Sequence, residues 1–180
     1  MSSFAPVNPL RPAGVVLAAL ALTSCAATIH NRTVFRDPSY ESTPVHRVFV
    51  GVMTRERYEQ VRFEDALSQA LAARGFEAVP ACSKFPHGEM DEKGIAAYAK
   101  EVKADLVLVE RVTALDLGQT DGPPAIASAD VHVYTAGKYP NDPVWTGDWS
   151  AQKFRSVEDI ATPVTEAMVS DLVQARILVR

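Results

Sequence analysis

Apolar and polar positions change period several times along the chain, and each change marks an element. Between Val45 and Met53, Val48, Val50 and Val52 fall on one face and Phe49 and Met53 on the other. Both faces are apolar, which predicts a buried strand. Phe63, Ala66, Leu67, Ala70 and Leu71 then recur at helical spacing and form one stripe. Gly75 follows, where a left-handed helix end favours glycine. Phe76 to Val79 reads as a short strand closed by Pro80. Ser83 to Met90 reads as a loop holding Pro86 and Gly88. Asp91 is placed to cap a second helix, whose stripe is Ile95, Tyr98, Ala99 and Val102.

Leu106-Val107-Leu108-Val109 is apolar on both faces and is the candidate central strand, with Glu110 and Arg111 marking its emergence into water. A loop from Asp116 to Pro124 precedes two alternating segments. In the first, Ala127, Ala129, Val131 and Val133 share a face, while Ser128, Asp130, His132 and Tyr134 share the other. After a turn over 137–143, Trp145, Gly147, Trp149 and Ala151 alternate with Thr146, Asp148 and Ser150. Such alternation predicts an antiparallel pair with one dry and one wet face. Ser156-Val157-Glu158-Asp159 has the form of a capping box. It opens a last helix striped by Ile160, Ala161, Val164, Met168 and Leu172. Pro163 interrupts that stripe, so the expectation is a short first turn and a restart with Thr162 as cap and Pro163 at the first position. The order is β-α-β-α-β-β-β-α, which predicts an α+β fold with helices packed on a small mixed sheet. This single domain spans residues 45–180.

The start of the chain has another character. Met1 to Pro12 carries one charged side chain, Arg11, and Ala13 to Leu22 is an uncharged apolar run. Thr23 and Ser24 are small, and Cys25 follows. A charged start, a short apolar run and a small-residue end make a secretory signal over residues 1–24. The run is shorter than the ~20 residues a spanning helix needs. Leu22-Thr23-Ser24-Cys25 resembles the lipobox of bacterial lipoproteins. The resemblance implies diacylglycerol on Cys25, cleavage before it, and usually a third chain on the new amine; an ordinary signal with a chance cysteine is the alternative. Ala26 rather than Asp after the cysteine resembles an outer-membrane address facing the periplasm. Residues 26–44 show no sustained period. With Cys25 they read as a flexible tether over residues 25–44, averaging ~25 Å end to end.

Removing residues 1–24 leaves 156 of 180 residues, enough for one domain with one core. The leader holds a single basic residue and no acidic one, so the net charge of −4 becomes −5. Nothing here is a basic footprint for nucleic acid. Arg55, Arg57 and Arg62 interleave with Glu56, Glu59 and Glu64 and read as a mixed solvated face. If Cys25 is acylated, Cys82 has no intrachain partner and is either an inert buried thiol or an intermolecular one.

Chemistry is sparse. The chain has no nucleophile elbow, phosphate loop, dinucleotide fingerprint or zinc helix. His87 stands near Glu89, Asp91 and Glu92 in a segment that reads as a solvated loop or, less simply, a metal site. Asp130, His132 and Asp148 fall on the wet sheet face with Tyr134. These four are the candidate partner-facing surface, and with suitable register the first three would form a small acid–base or metal cluster. Trp145 and Trp149 share the apolar face of their strand and read as core, with a stacking platform as the alternative. No catalytic residue, cofactor or bound metal is expected.

The lipobox, the strand and helix ending in Ala72-Ala73-Arg74-Gly75-Phe76, and Ala104-Asp105 before an apolar strand resemble a group of bacterial envelope proteins. The group holds the lipoprotein activator of a penicillin-binding protein, the curli-secretion lipoprotein and the N-terminal domain of the Tol-system propeller protein. The resemblance covers about Val45 to Val179. It implies a small α/β sandwich and a non-catalytic role, assembling or regulating envelope machines through protein contacts with a partner it does not name. The alternative class is a small-ligand binder or metal-assisted enzyme on the sheet face around Asp130, His132 and Asp148, or in the His87 loop.

Overall fold

A computed structural model describes residues 27–85, 90–118 and 125–180. The leader, Cys25 and residues 86–89, which include His87 and Glu89, lie outside the described residues. The elements are β1 (Thr28–Arg36), β2 (Arg47–Met53), α1 (Arg57–Ala73), β3 (Glu77–Pro80), a short 3-10 turn (Ala81–Ser83), α2 (Glu92–Glu101), β4 (Leu106–Asp116), β5 (Ile126–Thr135), β6 (Trp145–Gln152) and α3 (Glu158–Gln174). The strands form one mixed sheet in the order β1-β6-β5-β4-β2-β3. β3, β2 and β4 are parallel; β4, β5, β6 and β1 are antiparallel. The fold class is α+β, with helices on both faces of a mixed sheet.

The period-2 patterns set which face each side chain takes. Val48, Val50, Val52, Leu106 and Leu108 join Ala127, Ala129, Val131, Val133, Trp145 and Trp149 on one face. There they meet Phe63, Leu67 and Leu71 of α1 and Ile160, Val164, Met168 and Leu172 of α3. Both tryptophans are core, and Trp149 stacks at 5.7 Å on Phe63. On the opposite face Phe49, Val107 and Tyr134 are covered by Ile95 and Ala99 of α2. α2 is capped as the sequence predicts, the Asp91 carboxylate accepting from the Gly94 N–H at 2.6 Å. Gly75 ends α1 with φ +82°, a conformation that side chains bearing a Cβ disfavour.

Four readings of the sequence are corrected. The segment read as a flexible tether is largely a strand: β1 pairs with β6 from Thr28 opposite Gln152 to Arg36 opposite Trp145. Beyond it Asp37 donates to the Val144 carbonyl and Val45 to the Val179 carbonyl. The strand is legible only through its partner, which lies more than a hundred residues away. α3 does not restart at Pro163 but runs through it. The lost backbone bond is offset by burial of Ile160, Ala161, Val164 and Met168 on the sheet. The Thr165 hydroxyl takes up the Ala161 and Thr162 carbonyls. Half of the capping box forms, the Asp159 carboxylate accepting from the N–H groups of Arg155 and Ser156.

The other two corrections concern acids. Glu64 is 0% exposed rather than part of a solvated face. Its carboxyl accepts from the Val52 N–H (3.2 Å), the Gln60 amide (2.8 Å) and the Cys82 N–H (2.7 Å). The reason is topological: β3 ends at Pro80 opposite Val50, so Val52 runs past its partner strand and Glu64 supplies the acceptor. Arg57 packs beside it, donating to Gln60 Oε1 and to the Phe85 and Cys82 carbonyls. Glu110 does not emerge into water either; β4 continues to Asp116 and Glu110 is 0% exposed on the helix-covered face.

Candidate functional site

The half of the α2-side face that α2 leaves uncovered carries the polar positions of β5 and β6. Strand register decides what meets there. Arg32 of β1 stands opposite Asp148 of β6, Asp148 opposite Asp130 of β5, and Asp130 opposite Arg111 of β4. Like charges directly opposite repel, and here each carboxylate has a cation on its outer side. Arg32 closes on Asp148 at 2.5 Å. The pair of bonds from Nε and Nη2 to one carboxylate oxygen raises the Arg32 pKa.

One strand position along, the face becomes concave. A cleft of about 260 Å³ is lined by Met53, Glu92, Val109, Arg111, Asp130, His132, Tyr134, Tyr139 and Pro140. His132 Nδ1 and the Tyr134 hydroxyl are 3.1 Å apart, and Tyr134 meets Tyr139 edge to face at 5.1 Å. Burial lifts the pKa of Tyr134, and burial together with Glu92 pushes Tyr139 up to about 12. Both phenols therefore stay protonated at neutral pH.

Of the four residues read as a partner-facing surface, the cleft gathers Asp130, His132 and Tyr134, and Asp148 stands outside it in its ion pair with Arg32. Tyr134 is not a free surface residue: it is 9% exposed and packs in the core beneath α2. The sequence does not single out Arg111 or Tyr139 as site residues, and it offers Glu92 only beside His87, not with this sheet face. They arrive from β4, the 137–143 turn and α2, and period 2 within β5 says nothing of neighbours brought by other elements. Arg111 carries a signal only as the second of two charges after an apolar run. Among the described residues, no three His, Cys, Asp or Glu side chains converge as metal ligands. The cleft instead offers one guanidinium, two carboxylates, one imidazole and two phenols around an apolar floor, a set of hydrogen-bond donors and acceptors chemically able to meet polar groups. The thiol of Cys82 is half-buried, and burial followed by its bond to Glu64 pushes its pKa up to about 11, so it is a poor nucleophile.

Among the described residues no helix is long and apolar enough to cross a membrane. No protein-family model matches the chain, and no curated protein is similar to it in sequence. Similarity lies in the fold. The PelC dodecamer from Paraburkholderia phytofirmans superposes with a TM-score of 0.57 at 14% identity, covering 86% of this chain and 99% of that one. A single-substitution form of that dodecamer gives 0.56 at 16% identity over 81% and 97%. Protein XCC0632 from Xanthomonas campestris, of the family DUF330, gives 0.50 at 12% identity over 83% and 94%. At these identities what the chain shares with them is the α+β fold, over nearly the whole length of each neighbour.

Proposed function

We propose that this chain is a bacterial envelope lipoprotein, acylated at Cys25 and held at the outer membrane on its periplasmic side, whose domain assembles with protein partners and catalyses no reaction. The observation that carries the reading is the lipobox, Leu22-Thr23-Ser24-Cys25, placed immediately before a domain whose fold is that of a protein solved as a dodecamer. The resemblance to the group of envelope assembly proteins points the same way. Self-assembly fits the open edge of β1, whose outer backbone groups have no strand beside them among the described residues. Val34 and Phe35 are exposed on that strand. An unpaired edge of this length is a template for another strand.

The test is in-cell crosslinking followed by purification in detergent, with light scattering and intact mass, on wild type and Cys25→Ala. Expected are a mass lacking residues 1–24 and carrying acyl chains, and a higher oligomer or a reproducible envelope partner for the wild type. An unacylated wild-type chain refutes the anchor, and an acylated chain that is monomeric and partnerless refutes the assembly role. The cleft favours one second reading, a small-ligand site around Asp130 and His132; saturable binding lost on Asp130→Ala would replace the first.

A further inference from the structure

Register draws a straight line across one end of the sheet. Thr28 of β1 pairs with Gln152 of β6, Gln152 with Ile126 of β5, and Ile126 with Asp116 of β4. Strands lie ~4.8 Å apart, so the whole line is ~14 Å long. Two large apolar side chains are left in water on it: Ile126 is 45% exposed and Leu117, next after Asp116, is 50% exposed. Folding does not use them. Ala125, Ala127 and Ala151 beside them already close the core at this level. Lys153 is exposed at the same end, fixed there by its N–H donating to the Ala125 carbonyl at 3.1 Å. Among the described residues on the line, the one exposed acid is Asp116.

The chain arrives at this line from Cys25, with only Ala26 and Ala27 between Cys25 and Thr28. Three residue steps span at most ~10 Å. The ladder between β1 and β6 continues to Thr28 itself, so no slack remains for the domain to stand off. A lipid on Cys25 therefore sets the headgroup layer within ~10 Å of Thr28, and Ile126 and Leu117 lie on the same line.

We propose that this end of the sheet is a membrane-contacting surface, on which Leu117 and Ile126 enter the interfacial layer and Lys153 meets lipid phosphate. The inference rests on acylation of Cys25 and goes beyond it, because it fixes the orientation of the domain: the β4–β5 end down, the 137–143 turn up. Exposed apolar side chains gathered near an anchor are explained by a lipid surface, and they add a second contact to the acyl chains.

The test uses the acylated mature chain in vesicles of phosphatidylethanolamine and phosphatidylglycerol. In a Cys82→Ser background, an environment-sensitive fluorophore is placed at Leu117→Cys, Ile126→Cys or Lys138→Cys. The first two are solvent-exposed sites, and Lys138 follows the far end of β5, so none opens the core. The expected result is a blue shift and quenching by brominated acyl chains several-fold stronger at 117 and 126 than at 138. Equal exposure of all three labels to an aqueous quencher, with Cys25 acylated by intact mass, overturns the orientation and leaves the anchor standing. An unacylated Cys25 in the same mass spectrum overturns both.

Discussion

Glu64 and Glu110 are both 0% exposed, yet they are buried in opposite ways. Glu64 accepts three N–H donors, two of them backbone groups that the end of β3 leaves without a strand. Glu110 accepts one, the Trp149 indole N–H at 2.9 Å, and its second oxygen has no partner. Burial raises the Glu110 pKa to about 7, opposed by the Trp149 bond. Topology explains the difference. A carboxyl buried where a strand stops replaces the missing ladder and becomes structural. A carboxyl buried in the middle of a continuous ladder finds no spare donors and becomes titratable.

The largest effect is expected from breaking the first site. Glu64→Ala strands the Val52 and Cys82 N–H groups and the Gln60 amide, and should cost about 3–5 kcal/mol in chemical denaturation. A cost below about 1 kcal/mol would mean those donors find water, and the contrast would fail.

The second test is pH. The native state holds the Glu110 proton up to about pH 7, whereas the unfolded chain releases it near the ordinary value. Stability from this group is therefore complete below about pH 4 and is lost as pH rises through about 7, by about 3 kcal/mol in all. Glu110→Gln should flatten that slope in thermal unfolding scans between pH 4 and 8. A wild-type slope that survives the substitution belongs to another group. Trp149→Phe keeps a ring against Phe63 but removes the indole donor to Glu110. It should cost about 1–2 kcal/mol and move the Glu110 titration higher, read by carboxyl-carbon NMR. The smallest effect is at the surface: Arg32→Ala breaks an exposed ion pair with Asp148 and should leave the unfolding midpoint where it is.

Much of this contrast was not legible in the sequence. Glu64 follows Phe63 in a segment dense with charges, so it read as solvent-facing; nothing local says that β3 stops short of Val52. Glu110 follows Leu106-Val107-Leu108-Val109, where a first charge ordinarily marks a strand's exit. The candidate site was half legible. Period 2 put Asp130 and His132 on one face, and the structure keeps them together in the cleft. It also put Asp148 there, and register does set Asp148 opposite Asp130, but its carboxylate is held by Arg32 outside the cleft.

What the sequence determined by itself was everything that depends on neighbours within a few residues. The helix stripes of α1 and α2, the alternation in β5 and β6, the Gly75 terminus and the Asp91 cap are local consequences of side-chain period and backbone preference. Tertiary structure alone decided three things. It turned residues 28–36 into an edge strand, carried α3 through Pro163, and chose which buried acid is satisfied. Each depends on a partner a dozen residues or more away, and the energy of packing against that partner outweighs the local preference that a single segment displays.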